Sequence, residues 1–153
     1  MQYSNIDLHC HSLESDGALS PSDVVNRAVE NGVTLLALTD HDTIEGQAEA
    51  MNQAQALNIE MVSGVELSCV WGNSAIHILG LNFSLNDGVM QEAQEKQLEA
   101  RLLRAEIIAG RLMKKGLPDL FESAKQLTRS GIPGRPHFSE AMISKGLVAN
   151  HEE

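Results

Sequence analysis

The chain has 153 residues, 42% of them apolar, with 21 acidic and 11 basic side chains and a formal net charge of -10. That is enough for one ordinary hydrophobic core and too apolar for a disordered chain. The acidic balance argues against gripping long duplex nucleic acid, which wants a basic face, and no run of 18 or more apolar residues offers a membrane span.

The opening "MQYSNIDLHC" has neither a basic n-region nor an apolar h-region, and reads as cytoplasmic. In that setting Cys10 and Cys69 are expected as free thiols, and the lack of a C-x-x-C pair speaks against a thiolate zinc site.

In chain order, "SNIDLHCH" reads as a strand ending near His11. "SPSDVVNRAVENG" reads as a helix, with Ser20 as N-cap, Pro21 at N1, Asp23 completing a capping box and Gly32 at the C-terminal end. "VTLLALTD" is a buried strand, "TIEGQAEAMNQAQALN" a second helix, and "IEMVSGVELSCV" a third strand. "WGN" is a turn before a fourth strand, "AIHILGLNF". Strands alternating with helices imply parallel pairing with right-handed crossovers, and the short "WGN" also allows the fourth strand to fold back as a hairpin.

The pattern is helical over residues 86–115. Leu98, Leu102, Ile108 and Leu112 form its apolar positions, Asn86 or Asp87 its start and Gly116 its end. "PDLFESAKQLTRSG" reads as a further helix, and "GRPHFSEAMISKG" begins another with Pro136 at or near N1. The composition shift predicts residues 1–85 as one part of an α/β fold and 86–153 as a helical insertion or subdomain.

The histidines gather where chemistry collects in such folds, at the C-terminal ends of strands. His9 and His11 close the first strand, His41 follows the second, Glu66 lies late in the third and His77 lies in the fourth. Strict alternation along a strand puts Asp7, His9 and His11 on one face, with Leu8 and Cys10 on the other. Two imidazoles on one face can chelate one metal ion. Together with Asp16 in "SDG", this set predicts a metal site.

Asp40 and Asp42 flank His41, and one of them could orient its ring. Asp42 reads equally well as the N-cap of the following helix. In "GRPH", Arg135 and His137 at a helix start either hold a phosphate or form a plain loop-to-helix junction. His151 reads as a surface residue.

"DLHCHSLESDG", "LALTDHDT", "GVELS" and "IHILGLN" resemble the PHP family, the polymerase and histidinol phosphatase metal-dependent phosphoesterases, over residues 7–82. "GRPHFSEAMISKG" resembles one branch of it, the 3',5'-nucleoside bisphosphate phosphatases and 5'-to-3' exoribonucleases. The resemblance implies a distorted (β/α)7 barrel with two or three divalent cations, most often manganese, with zinc or iron as alternatives. It implies that His9, His11 and Glu66 hold one cation, that Glu66 bridges to a second held with His77, and that Asp16 and His41 serve a third. It also implies water-mediated hydrolysis of a small phosphorylated nucleotide or a short RNA end. Members of this branch run to nearly twice this length, so the chain is expected to be an N-terminal fragment with open sheet edges prone to self-association. A histidinol-phosphate phosphatase and a non-catalytic metal-binding module are the rival readings.

Overall fold

A computed structural model describes residues 5–150, so His151 lies outside the described residues. The chain divides at Gln97/Leu98 into two compact units.

The first unit begins with β1 (Ile6–Cys10), α1 (Pro21–Glu30), β2 (Leu35–Leu38), α2 (Gln47–Leu57) and β3 (Glu60–Val62). The three strands pair in parallel in the order β1-β2-β3. Val25 and Ala28 of α1 and Ala50 and Ala54 of α2 bury against Leu36 and Leu38 of β2, so the helices cover one face of the sheet. Ser20 caps α1 by accepting from the Asp23 backbone N–H at 3.1 Å. The predicted reciprocal half of the capping box is replaced: the Ser20 hydroxyl donates to the Asp23 carboxylate at 2.6 Å.

Two sequence expectations change here, and one open alternative is settled. The single third strand is two, because the chain breaks after β3 and β4 (Gly64–Trp71) leaves the parallel sheet to pair antiparallel with β5 (Ser74–Leu81). The hairpin alternative for "WGN" is the one adopted, with Gly72 at φ +60 in the turn. The second helix starts at Gln47 behind Gly46, not near Thr43, so Asp42 is not its N-cap.

The break at Gly64 has a steric cause. A Cβ there would lie 2.5 Å from the carbonyl oxygen of Leu38. Only glycine lets the chain pass so close to the end of β2. Buried Gln47 secures the crossing, donating to the carbonyls of Leu38 at 2.8 Å and Gly64 at 2.9 Å.

The strict alternation expected for β1 also fails. Asp7 pairs with Leu36 and Cys10 with Leu38, so Leu8 and His9 stand against Ala37 alone. This bulge turns Asp7 to the side of Cys10, where both line a cavity of about 280 Å³ with Val24, Arg27 and Leu36. His9 and His11 reach Glu66 with their rings, and His11 also borders that cavity.

The long helix α3 (Gly88–Lys114) begins on Asp87, whose carboxylate accepts from the N–H groups of Val89 at 2.8 Å and Met90 at 3.3 Å. It crosses the division between the units. The second unit continues with α4 (Phe121–Lys125) and α5 (Arg135–Ser144) around Ala105, Ala109, Leu120, Ala124, Phe138 and Ala141. Ile108 and Leu112 pack on this core as expected, whereas Leu102 is exposed and alanines take the buried positions of the helix. The fourth expected helix is cut to α4, since the chain tightens into turns at Leu127 and Thr128. Among the described residues no helix is long and apolar enough to cross a membrane.

Candidate metal centre

Where β1, β2 and the β4–β5 hairpin meet, the backbone itself joins the two sheets. His41 and Glu66 form an isolated parallel bridge: Glu66 N–H donates to the Asp40 carbonyl at 3.2 Å and Asp42 N–H to the Glu66 carbonyl at 2.9 Å. The side chains that sequence reasoning singled out converge around this bridge.

Glu66 sits at the centre with its side chain almost wholly buried. His9 Nε2 lies 2.8 Å and His11 Nε2 2.9 Å from its Oε2, while His77 Nδ1 lies 2.7 Å from its Oε1. His41 Nδ1 stands 3.7 Å from Oε2. On the other side His11 Nδ1 lies 2.8 Å and His41 Nε2 3.7 Å from the two oxygens of Asp16. The rings follow one another in a chain, with centroids 5.2 Å apart for His9–His11, 4.5 Å for His11–His41 and 4.8 Å for His41–His77. The cluster is open to solvent on the side of His9 and His77, both exposed.

These atoms fall into three overlapping groups: His9, His11 and Glu66; His11, Asp16 and His41; and His41, Glu66 and His77. Nitrogen and oxygen donors about 2.1 Å from a shared cation stand roughly 3.0 to 3.4 Å apart, from octahedral to tetrahedral geometry. The separations of 2.7 to 3.7 Å bracket that range. By the chemistry of its donors and their spacing, the set fits divalent cations.

The electrostatics agree with the packing. Burial pushes the Glu66 carboxyl up, but hydrogen bonds from His9 and His77, with His41 and His11 nearby, outweigh it and hold the group below the usual carboxylate range. The Asp16 hydrogen bond raises His11 above the usual imidazole value against the effect of burial. His41 is lowered, mainly by burial, which favours its neutral ring.

The flanking aspartates serve the backbone. Asp40, expected as a possible partner of the His41 ring, accepts instead from Ser12 and Ser15: Ser12 N–H at 2.7 Å, Ser12 Oγ at 2.6 Å and Ser15 Oγ at 2.6 Å. Asp42 accepts from Ser68 N–H at 2.6 Å. Asp7, turned away by the bulge, accepts from His9 N–H at 3.2 Å. Sequence reasoning missed Ser12, Ser15 and Gln47, which bond to partners 9 to 28 positions away and leave no local signal. It singled out Asp16 in "SDG" but not the tightness of Gly17, where a Cβ would lie 2.3 Å from the carbonyl oxygen of His11.

Arg135 and His137 lie in the second unit, in the first turn of α5. The His137 ring accepts from Gly134 N–H at 3.0 Å through Nδ1, closing the start of its own helix.

Comparison with known proteins agrees with this architecture. The PHP domain matches residues 7–110. A 5'-3' exoribonuclease of Haemophilus influenzae is 43% identical over 144 residues, covering 94% of this chain and 52% of its own. A 3',5'-nucleoside bisphosphate phosphatase of Chromobacterium violaceum is 37% identical over 146 residues, covering 95% of this chain and 51% of its own. The chain thus spans about half the length of the curated relatives it matches. Among solved structures, a Chromobacterium violaceum amidohydrolase with bound sulfate and no metal superimposes with a TM-score of 0.89 at 36% identity, covering 97% of this chain and 53% of that one. A metal-dependent phosphoesterase from Bifidobacterium adolescentis superimposes with a TM-score of 0.86 at 25% identity, covering 97% and 52%. With four imidazoles from three elements meeting on one carboxylate and a family match over most of its length, this chain belongs to the PHP domain family.

Proposed function

We propose that the chain supplies the cation-holding part of a phosphoesterase that releases phosphate from 3',5'-nucleoside bisphosphates or cleaves short 5'-phosphorylated RNA. One observation carries this reading: four imidazoles from β1 and the residue just after it, the segment after β2, and β5 surround the buried carboxylate of Glu66. The substrate class rests on relatives 37% to 43% identical that are named bisphosphate phosphatase and 5'-3' exoribonuclease.

In this reading His9, His11 and Glu66 hold one divalent cation, Glu66 and His77 a second, and Asp16 and His41 a third. Mixed nitrogen and oxygen donors without thiolate suit manganese, with zinc or iron as alternatives. Bound there, such a cation supplies a Lewis acid and brings the pKa of a bound water toward about 7. Glu66 stays anionic at neutral pH, and His41 stays neutral with a ring nitrogen free of its proton. Asp16 orients His11 through Nδ1 and leaves its Nε2 facing Glu66. Arg135, in the first turn of α5, offers a forked guanidinium for a substrate phosphate, with His137 beside it. Residues 1–85 would form the N-terminal part of a distorted barrel and residues 86–153 a helical insertion. The outer edges of β1 and β5 would be sites of self-association.

The test is calorimetric titration of the 153-residue chain with Mn²⁺, followed by phosphate release from adenosine 3',5'-bisphosphate and cleavage of a 5'-phosphorylated tetranucleotide, with and without EDTA. Binding with chelator-sensitive hydrolysis is the expected result, and failure to bind cations overturns the reading. Binding without hydrolysis would support a cation-holding part that is not catalytic by itself, a second reading favoured by the chain's half-length match to its relatives.

A further inference from the structure

The segment "LTDHD" places a buried aspartate on each side of His41, with Asp40 1% and Asp42 2% exposed. Each holds a different neighbouring segment, and each of those segments carries different members of the cluster.

Asp40 uses both oxygens. Oδ1 accepts from Ser12 N–H and Ser15 Oγ, and Oδ2 accepts from Ser12 Oγ. Both serines are themselves fully buried. The Ser12 carbonyl in turn accepts from Ser15 N–H at 3.1 Å and Gly17 N–H at 2.8 Å, so residues 12–17 fold around the group that Asp40 grips. Asp16 lies inside that turn, directly after Ser15, and its oxygens reach His11 and His41. On the other side Asp42, at φ +55, donates its N–H to the Glu66 carbonyl and accepts from Ser68 N–H. Ser68 is the register partner of His77. Asp42 therefore fixes the stretch of β4 that presents Glu66 and faces His77.

We propose that Asp40 and Asp42 are a pair of positioning residues with divided labour: Asp40 sets the Asp16 side of the cluster through Ser12 and Ser15, and Asp42 sets the Glu66–His77 side through the β4 backbone. The inference rests on the cation-binding reading above. Cation ligands tolerate displacements of only about 0.5 Å, and groups on a turn have no regular hydrogen-bond ladder to hold them. A buried carboxylate accepting two hydroxyl bonds supplies that hold.

The chemistry of asparagine separates the two roles. Asp40→Asn turns one of two working acceptors into a donor facing Ser12 Oγ, which already accepts from Glu14 N–H at 3.2 Å. Asp42 uses one oxygen in one bond, and asparagine keeps that oxygen and tolerates positive φ.

The experiment is titration of the 153-residue chain with Co²⁺, followed by visible absorption and calorimetry, with near-UV circular dichroism to establish the fold of each variant. Asp16→Ala and His77→Ala identify the binding classes on the two sides. Ser15→Ala, which removes the bond to Asp40 and the long 3.5 Å bond to Asp16 Oδ1, and Asp40→Asn, which leaves the latter in place, are expected to weaken the Asp16-dependent class about 10- to 100-fold and leave the His77-dependent class unchanged. Asp42→Ala is expected to do the reverse, and Asp42→Asn to bind as the wild type does. Wild-type affinity in Ser15→Ala and Asp40→Asn, or equal weakening of both classes, overturns the division. A second readout needs no cation: amide hydrogen exchange at Ser12 and Gly17 should quicken at least tenfold in Ser15→Ala while Ser68 is unaffected, and unchanged exchange overturns the role of Asp40. Wild-type protein that binds no Co²⁺ refutes the proposed function, and the exchange measurement then decides the positioning by itself.

Discussion

Glu66 and His77 meet diagonally across the β4–β5 hairpin: the register sets Glu66 opposite Leu79 and His77 opposite Ser68, yet His77 Nδ1 comes within 2.7 Å of Glu66 Oε1. The carboxylate therefore draws together both strands of the hairpin as well as β1. Glu66→Gln keeps the shape and removes the charge. Cation affinity, measured by calorimetry, should fall by more than about 100-fold, since even groups behind the ligands contribute 10- to 100-fold. His77→Gln should lower it less, because His9, His11 and Asp16 remain.

The cation-free protein should lose stability in acid. Glu66, held below the usual carboxylate value, contributes stability that is present above about pH 4.5 and lost as pH falls through its lowered value. His41, lowered by burial, acts in the same direction: charging it opposes the fold once pH drops below 6.5. His11 has the opposite sign, because its raised value gives stability that is full below pH 6.5 and lost as pH rises through that value. Thermal melts in EDTA should therefore show a falling midpoint below pH 4.5. Cation binding must expel the His11 proton, so affinity should climb with pH from 6.5 upward, with proton release detectable by calorimetry in buffers of different ionisation enthalpy.

Cys10 should be chemically inert in the folded chain. Its thiol donates to the Ala37 carbonyl at 3.3 Å, and burial, with Asp7 and Asp40 nearby, pushes its pKa up to about 12. At pH 8 its alkylation by iodoacetamide, read by mass spectrometry, should be slower by roughly two to three orders of magnitude than in urea, following the loss of thiolate.

Gly17→Ala should damage the Asp16 turn. The added methyl would meet the backbone of His11 and Ser12 at 2.3 to 2.7 Å, which no side-chain rotation relieves. Urea unfolding should show a loss of about 1–3 kcal/mol, in the range of overpacked sites, together with weakened cation binding.

How much of this was legible depended on the range of the signals. Ser20, Pro21 and Gly32 mark α1 because capping is local. His9, His11 and His41 were legible as a set because parallel strands deliver their ends to one edge, whereas Glu66, near the start of β4, and His77, within β5, reach the same place from an antiparallel hairpin. The break at Gly64 was hidden inside the continuous run "IEMVSGVELSCV", where steric crowding by Leu38 decides the path. The face of Asp7 was misread because a bulge is a property of two strands and leaves no mark in one. The serines that hold Asp40 were invisible for the same reason, their partner lying 25 to 28 residues away.

The hairpin shows apolar surface on the side away from the cluster. Ile76 is 38%, Ile78 50% and Trp71 79% exposed, and among the described residues no strand pairs with the outer edge of β5. Sedimentation velocity should show concentration-dependent association, and Ile78→Lys should suppress it without changing cation affinity.

The bridge between His41 and Glu66 has a mechanical consequence. The seam between the two sheets runs through the very residues that would grasp an ion, so a bound ion would act as a rivet there. Loading should stiffen the whole first unit, while stripping should let the hairpin swing free before the helices loosen.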